Sequence, residues 1–460
     1  MSIRMQPKGS NAWRGMVSAC LAGVFPTAVD ASGLPSFDDI SDPLDAYLAT
    51  RGDLDGAGLL LMDFEGRVLH ERYWGTHDRA TVVPIASATK WMSGAVIAGL
   101  VADGSLALDT RVGDVLPEFN LIDDGRADMT VSQMFSHTAG TGGQSFQIGR
   151  TDIPLSTAVS NLAAAPNLMR FEPGGTFAYG GVSMHIAGGM AEAVTETGWA
   201  ALTDERLLQP LGITDTDYTG VGNELNPRVA GGMRSSIESY RRFLLAMGND
   251  GVHENRQVID PAAIEAMLTD YTGFGTDDAV AIDFLPNSVD LFLGHGLGPW
   301  IGRRDAAGEP TEWFSAGAFG TVGWLDLEHG HLGVFLVDDT LSRFFDLIAA
   351  VRSDAAVRVA AGLAALPGDF DGDGRVAQGD LNRVLNGWGT APDWELTAAT
   401  ARPTGVIDQD ELNAVLNHWG DTTPPSFSHA AVPEPGGLAL GFLLGLGLSR
   451  LPRYRGRVVG

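Results

Sequence analysis

Cysteine and lysine are scarce in this 460-residue sequence, which has one cysteine and two lysines. The lone cysteine, Cys20, excludes an internal disulfide, a thiolate metal site and any later cysteine nucleophile. Positive charge comes almost wholly from 28 arginines, and 30 basic against 57 acidic residues give a net charge of -27. Nucleic-acid surfaces need clustered basic side chains, so this balance argues against a nucleic-acid partner.

The position of one lysine is the most informative feature. Lys8 lies near the N-terminus, whereas Lys90 follows Ser87 by three residues. A guanidinium stays protonated, but a desolvated lysine can lose its proton and accept one from a hydroxyl. Spacing of i and i+3 places both side chains on one helical face, and the neighbouring Trp91 and Met92 predict burial. The pattern predicts an activated serine nucleophile, although a four-residue pattern also recurs by chance beside a helix start.

Residues 1–31 have the features of an export signal. Basic residues precede an apolar run, and small residues follow as far as Ala31. We therefore expect an exported protein, located in the cell envelope or outside the cell.

Residues 32–366 are expected to form one large domain. Residues 57–69 and 321–337 each have the pattern of a β-hairpin, and residues 92–106 predict a buried helix. Strands near both ends and helices between them predict an α+β fold. We expect an antiparallel sheet closed by both chain ends, with flanking helices and an inserted helical subdomain.

Several motifs in this domain occur in an order that resembles the serine beta-lactamase and penicillin-binding fold. The resemblance is strongest to class C beta-lactamases, DD-peptidases and related esterases, and it implies a beta-lactamase/transpeptidase-like α/β sandwich. The motifs are Ser87-Ala88-Thr89-Lys90, Leu106-Ala107-Leu108-Asp109, Ser136-His137-Thr138-Ala139-Gly140, Phe171-Glu172-Pro173-Gly174-Gly175, Tyr179, Pro210-Leu211-Gly212, Gly231-Gly232-Met233 and Gly317-Ala318-Phe319-Gly320.

The resemblance also implies roles for individual residues. Ser87 would be the acylated nucleophile, Lys90 the general base and Tyr179 the second proton-transfer group. The backbone N–H groups of Ser87 and Ala318 would form an oxyanion hole that stabilises charge on the substrate oxygen. No cofactor is expected for catalysis.

Two motifs depart from the family pattern. Tyr179-Gly180-Gly181 stands where many relatives have Tyr-x-Asn, so an amide is missing beside the lysine. Ser315-Ala316-Gly317 stands where beta-lactamases have Lys-Thr-Gly, so the closing strand lacks a cation for a substrate carboxylate. Ser315 and Gly317 remain the candidate substrate-binding residues, and Arg303 or Arg304 is an alternative source of the cation.

Ester or amide hydrolysis survives both departures. The sequence leaves open an esterase, a D-amino-acid peptidase or a beta-lactamase, acting on a small acyl substrate or a peptidoglycan-like peptide. The alternative is a non-catalytic binding or scaffold protein that retains the penicillin-binding fold.

The remaining histidines and tryptophans of the large domain are interpreted mainly as structural. Histidines would cap or pack helices and strands, and tryptophans belong more often to the core than to a pocket. These residues are His137, expected to cap the helix before Thr138, and His185, His295, His331, Trp300, Trp313 and Trp324.

Residues 367–420 predict a small second module that binds calcium. A twelve-residue loop supplies carboxylates at positions 1, 3, 5 and 12, a glycine at 6 and a backbone carbonyl at 7. With the duplicated helix that follows, the loop resembles a dockerin-type, EF-hand-like helical module, which would have a protein partner. The second copy lacks the carboxylates, so one Ca²⁺ is expected. The predicted ligands are Asp369, Asp371, Asp373, Arg375 and Asp380.

Residues 421–460 are interpreted as a linker and a sorting tail. Val432-Pro433-Glu434-Pro435 precedes a short apolar run and a cluster of arginines. This order resembles a PEP-CTERM sorting signal and implies transient contact with the membrane; the alternative is an ordinary tail anchor.

Overall fold

The computed structural model describes residues 37–273 and 292–364, together with 376, 378–388, 412–413 and 415–416. Asp380 lies in the helix Gln378–Gly387. No helix in the described part of the chain combines the length and the apolar character needed to span a membrane. Several predictions lie outside the described residues: the export signal, the sorting tail and the calcium ligands Asp369, Asp371, Asp373 and Arg375.

A six-stranded antiparallel sheet forms the centre of the fold, in the order β2-β1-β10-β9-β8-β7. β1 pairs with β10, with Leu60 opposite Val334, so strands from both ends of the domain meet in the sheet. The two predicted hairpins and the antiparallel sheet are confirmed. The strands are β1 (Gly56–Asp63), β2 (Val68–Gly75), β3 (Val83–Pro84), β4 (Arg234–Ser235), β5 (Val252–His253), β6 (Arg256–Gln257), β7 (Trp300–Arg304), β8 (Pro310–Ala316), β9 (Val322–Asp326) and β10 (His331–Val337).

Helices flank the sheet, and most of the elements between β3 and β7 in the chain are helices. The described helices are α1 (Asp42–Leu48), α2 (Thr89–Ala102), α3 (Val112–Val115), α4 (Val131–Phe135), α5 (Leu155–Ala163), α6 (Val182–Thr195), α7 (Trp199–Thr203), α8 (Ile237–Gly248), α9 (Pro261–Met267), α10 (Phe345–Ala364) and α11 (Gln378–Gly387).

Both faces of the sheet are covered, as β1 illustrates. Side chains along a strand alternate between its two faces. Leu60 belongs to the apolar core that includes Trp91 of α2, whereas Leu59 belongs to the core that includes Leu44 of α1 and Ile348 of α10. The alternation gives a sandwich of helices, sheet and helices.

Helix α2 lies in the middle of the domain and is buried along most of its length. A Cβ on Gly94 would lie 1.8 Å from the carbonyl oxygen of Leu297, so the backbone of that segment packs directly on the helix. Gly298 has a φ of +117° and lies against the carbonyl of Lys90. This close packing carries the chain into β7 beside the start of α2.

The predicted helix over residues 92–106 is present but ends sooner, at Ala102. Gly104 adopts a φ of +79°, which ends the helix and turns the chain. The segment that follows carries α3 to α7 and forms the inserted helical part of the domain.

The inserted segment returns to α2 through residues 228–233, here called the strap. Met233 N–H donates to Thr89 Oγ1 at 3.1 Å, and Ser93 Oγ–H donates to the Val229 carbonyl at 2.7 Å. Two side chains of α2 therefore hold the strap along the helix.

A buried ionic network joins the far strands of the sheet. Arg303 of β7 pairs with Glu312 of β8 at 2.8 Å and with Asp326 of β9 at 2.7 Å. Arg352 of α10 pairs with the other oxygen of Glu312. Both carboxylates are almost fully buried, and the pKa of Asp326 is lowered because His329 donates to it and Arg303 lies beside it, which outweighs its burial.

Removing Arg303 should destabilise the fold much more than removing an exposed arginine. Arg303→Met leaves two buried carboxylates short of a partner, and we expect the free energy of unfolding to fall by about 3 kcal/mol. Arg111→Met is the matched control because Arg111 and Asp128 are both largely exposed, and its effect should stay below about 1 kcal/mol. Urea denaturation followed by circular dichroism measures both; equal losses would contradict the assigned role of the network.

Candidate active site

Ser87 lies in a short 3-10 turn immediately before α2. Ala86, just before it, has a φ of 44°, a strained value for a residue with a side chain. The end of β8 holds this turn: Ser315 Oγ–H donates to the Ser87 carbonyl at 3.4 Å, and a Cβ on Gly317 would lie 2.0 Å from the Ile85 carbonyl oxygen. The sheet therefore holds the turn that contains the serine and the strained Ala86, and only glycine fits at position 317.

The side chain of Lys90 lies one helical turn beyond the serine and is buried. Its Nζ is 3.0 Å from Ser87 Oγ and 2.8 Å from the Ala230 carbonyl oxygen in the strap. Burial lowers the pKa of Lys90 from its ordinary value of 10.5 to about 7. The neutral amine is therefore accessible near neutral pH, beside the serine hydroxyl.

Tyr179 completes a cluster of three polar side chains. Burial raises the pKa of its hydroxyl to about 12, and the Ser87 and Trp300 side chains beside it offset part of that rise. The ammonium nitrogen of Lys90 lies 4.6 Å from the centre of the tyrosine ring. The three predicted catalytic residues are thus brought together around Ser87 Oγ.

Backbone packing explains one of the two glycines that follow Tyr179. A Cβ on Gly180 would lie 2.1 Å from the Gly143 carbonyl oxygen, so no side chain fits there. At Gly181 a Cβ would lie 3.2 Å from Ile148 and 3.5 Å from Ala230. A side chain at position 181 would need only a small shift of Ile148, so packing accounts for Gly180 but not for the missing asparagine, and the Ala230 carbonyl supplies the oxygen that contacts the lysine.

The candidate oxyanion and substrate residues follow β8. Gly317 N–H donates to the Thr321 carbonyl at 2.7 Å, closing a tight loop that contains Ala318. The loop is adjacent to the serine turn because Gly317 contacts it directly. Ser315 is 2% exposed, so its side chain supports the turn from within. A direct contact of Ser315 or Gly317 with substrate stays a prediction.

Two histidines interpreted as structural lie against Tyr179. The His137 ring centre is 4.6 Å from that of Tyr179 and 4.7 Å from that of His295. His137 has a φ of 62° after α4, and Thr138 N–H donates back to Gln133, as in a helix cap. Burial lowers the pKa of His295 to about 3 and that of His137 well below its ordinary value. Both rings are therefore neutral near pH 7.

The two arginines considered as replacements for the missing cation have other partners. Arg303 bridges Glu312 and Asp326, and Arg304 donates to Asp270. Using either arginine for a substrate carboxylate would leave a carboxylate of the protein without its partner. The geometry therefore does not favour either residue as the substrate cation.

Sequence reasoning missed the contributions of Ala230 and Trp300. Ala230 acts through its carbonyl, which no residue pattern reveals. Trp300 follows a glycine-rich run, residues 294–298, and that run was the available signal of close backbone packing near α2.

Comparison with known proteins places these residues in a family context. The family model described as Beta-lactamase matches residues 44–357. The chain is 31% identical over 183 residues to Esterase EstB of Burkholderia gladioli, covering 35% of this chain and 46% of that protein. It is 32% identical over 176 residues to Penicillin-binding protein 4 of Amycolatopsis lactamdurans, covering 36% and 45%. The chain thus spans slightly less than half the length of these two relatives.

A solved structure has the same fold over most of its length. It is that of a candidate beta-lactamase from Bacteroides dorei, with a TM-score of 0.59 and 27% identity, and it covers 68% of this chain and 98% of its own. The match supports a common arrangement of sheet and helices.

Any ester cleavage that uses Ser87 as nucleophile and Lys90 as base should become faster as pH rises through about 7. Only the neutral amine could accept the Ser87 proton, and the pKa of Lys90 is about 7. We expect kcat/KM to increase about tenfold per pH unit below 7 and to level off above it. Rates for a neutral chromogenic ester between pH 5.5 and 9 test this, with Ser87→Ala as the blank for spontaneous hydrolysis.

Lys90→Arg should be inactive across the same range, because the guanidinium keeps the charge but cannot act as a base. A flat or falling wild-type profile, or an active arginine variant, would contradict the role of the buried amine.

Lys90→Met should stabilise the protein at low pH. The folded protein releases the Lys90 proton near pH 7, whereas free lysine holds it up to about 10.5. The burial penalty is therefore complete below pH 7, shrinks as pH rises and vanishes above 10.5. We expect the gain to be about 2–3 kcal/mol larger at pH 6 than at pH 9, because each pH unit between 7 and 9 removes about 1.4 kcal/mol of the penalty. Thermal unfolding at both values measures it, and a loss at pH 6 would argue against a desolvated ammonium.

Proposed function

Because the chain belongs to the beta-lactamase family, we propose that it is an exported serine hydrolase that cleaves small esters through an acyl-enzyme on Ser87. The observation that carries this proposal is the contact between the Ser87 hydroxyl and the buried amine of Lys90, at 3.0 Å. Tyr179 lies beside the same serine, so one hydroxyl has a base and a second proton-transfer group next to it.

Acylation uses the neutral form of Lys90. Its amine accepts the proton of Ser87 as the serine oxygen attacks the substrate carbonyl carbon. The backbone N–H groups of Ser87 and Ala318 stabilise the charge on the carbonyl oxygen. The bond to the alcohol then breaks, and the alcohol leaves with a proton delivered through Tyr179.

Deacylation repeats these steps with water. Water attacks the acyl carbon, the bond to Ser87 Oγ breaks, and the proton lost by water is balanced by one returned to the serine. Tyr179 lies beside Ser87 Oγ and can pass this proton.

The choice of an ester over a lactam or a D-amino-acid peptide rests on charge. Penicillins and peptide C-termini carry a carboxylate, and a carboxylate is recognised best by a cation. Ser315 occupies the cation position on β8, and Arg303 and Arg304 are engaged with carboxylates of the protein. A neutral acyl ester needs no such partner.

The name of one relative, Esterase EstB, agrees with this choice. The name of another, Penicillin-binding protein 4, is consistent with a peptide substrate. A D-amino-acid peptidase and a beta-lactamase therefore remain the alternatives to be tested within the same reaction class.

A non-catalytic scaffold is the competing proposal. It would treat Tyr179-Gly180-Gly181 as a degraded motif. The Ala230 carbonyl contacts Lys90 at 2.8 Å and takes over the contact of the missing amide, which favours a working site.

Labelling of the active serine tests the function directly. Wild-type protein should react with a fluorophosphonate probe and hydrolyse p-nitrophenyl butyrate, and Ser87→Ala should lose both reactions. Intact mass spectrometry should show an acyl adduct on wild-type protein only. Nitrocefin and D-Ala-D-Ala peptides are compared in parallel, with turnover expected to be at least tenfold lower than for the ester.

Equal labelling of wild type and Ser87→Ala would rule out the serine mechanism, and a folded wild type that never forms an adduct would support the scaffold. Faster turnover of nitrocefin than of the ester would keep the serine mechanism and reject the ester preference.

A further inference from the structure

Ser93 of α2 lies one helical turn beyond Lys90 and is buried. Residues three apart lie on the same side of a helix, and both side chains contact the strap. Lys90 Nζ donates to the Ala230 carbonyl at 2.8 Å, and Ser93 Oγ–H donates to the Val229 carbonyl at 2.7 Å. One side of α2 therefore holds two consecutive carbonyls of the strap, and one of them contacts the candidate base.

The hydroxyl of Ser93 is itself oriented by Tyr218 and Trp199, both of which are buried. Tyr218 Oη lies 3.1 Å from Ser93 Oγ, and the Trp199 indole N–H donates to Tyr218 Oη at 2.6 Å. A hydroxyl has one proton, and Ser93 gives its proton to a carbonyl, which can only accept. Tyr218 must therefore donate to Ser93. The three side chains form a series of hydrogen bonds with a single direction, which ends at the Val229 carbonyl.

The Ala230 carbonyl determines how the amine of Lys90 is turned. A neutral amine has two N–H groups and one lone pair, and a carbonyl oxygen can bind only an N–H. An N–H directed to Ala230 leaves the lone pair free for the hydroxyl of Ser87, whose oxygen is 3.0 Å from Nζ. If the strap were displaced, the amine could rotate and its lone pair would face the hydroxyl less often.

We propose that Ser93 is a positioning residue that turns the amine of Lys90 toward Ser87 by holding the strap. Tyr218 and Trp199 support it by fixing the direction of its hydroxyl. The proposal rests on the proposed function, in which Lys90 takes the proton of Ser87. It goes beyond that function because it assigns control of the base to a serine that does not contact the reacting atoms.

The titratable side chains near Lys90 are neutral near pH 7. Burial raises the pKa of Tyr179, whose ring centre is 4.6 Å from Lys90 Nζ, to about 12. Burial also lowers the pKa of His295 to about 3 and that of His137 well below its ordinary value. None of these groups changes its charge around pH 7, so a change in the strap should be visible in the pKa of Lys90.

The variant Ser93→Ala tests the proposal. It removes the donor to Val229, so the strap should move and the contact between Lys90 and Ala230 should weaken. A carbonyl binds an ammonium more strongly than a neutral amine, so the pKa of Lys90 should fall by about half a pH unit. The plateau of kcat/KM for a p-nitrophenyl ester should fall about tenfold, because the base is less well oriented.

The pKa of Lys90 can be measured without substrate, because the chain has only two lysines. In protein labelled with ¹³C at lysine Cε, an NMR titration gives signals from Lys8 and Lys90 alone, and the signal missing from Lys90→Met identifies Lys90. A signal that titrates near pH 7 comes from the buried amine of folded molecules. Partial unfolding of a variant therefore does not obscure the result.

Ser183→Ala is the matched control. Ser183 of α6 is also buried, and its Oγ–H donates to the carbonyl of Met134 at 2.8 Å, outside the strap. Its replacement should cost similar stability but leave the pKa of Lys90 unchanged and kcat/KM within about twofold of wild type. Tyr218→Phe should lower the pKa of Lys90 in the wild-type background and have no further effect in Ser93→Ala.

An unchanged or raised pKa of Lys90 in Ser93→Ala would overturn the proposal. A wild-type plateau of kcat/KM in that variant, or equal changes in Ser183→Ala, would overturn it too. Failure of wild type to form an acyl adduct would instead reject the proposed function, and the NMR comparison would still decide whether Ser93 holds the amine.

Discussion

The burial of one amine, that of Lys90, is the constraint on which the rest of the structure depends. The amine is useful as a base only if water is kept away from it, because solvation would restore its ordinary pKa. Helix α2 is therefore enclosed on all sides, with the backbone near Leu297 pressed against Gly94 and the strap held by Ser93. The same enclosure makes the site costly to fold, since a charged Lys90 is destabilising wherever it is protonated. The ionic network around Arg303 and the two apolar cores supply stability away from the site.

Main-chain atoms make contacts that side chains make in the family pattern. The Ala230 carbonyl contacts the lysine, and Gly180 and Gly181 leave room for the backbone of Gly143 and the side chain of Ile148. The Tyr-Gly-Gly sequence therefore combines a close approach of two loops, at Gly180, with the loss of the amide. β8 has no cation at the position where relatives have a lysine. Arg303 and Arg304, the two described residues considered as replacements, pair with carboxylates of the protein instead. The two departures thus differ: in the first, a carbonyl contact to Lys90 remains, whereas in the second the position on β8 has no charge, which is the basis of the proposed ester preference.

The features that the sequence predicted involve residues close together in the chain. The features that it missed are contacts between residues far apart in the chain. The hairpins follow from alternation and turn residues, and the approach of Lys90 to Ser87 follows from helical geometry over three residues. The partner of Lys90 in the strap is 140 positions away, and Ser315 reaches the serine turn from 228 positions away. Such contacts depend on how the sheet and the inserted helices pack, which periodicity does not specify. Trp300 was taken for a core residue and is one by burial, yet it also stacks on Tyr179 and so lies beside the site.

Burial also sets the order of proton transfers. It lowers the pKa of Lys90 to about 7 and raises that of Tyr179 to about 12, so it favours the neutral form of both groups. In the proposed mechanism, a neutral amine beside a neutral phenol makes the lysine the better acceptor for the Ser87 proton, and the tyrosine passes its own proton onward. His137 and His295 stay uncharged in the same apolar surroundings and do not compete for that proton. In the proposed mechanism the Ser87 proton therefore moves among these three side chains.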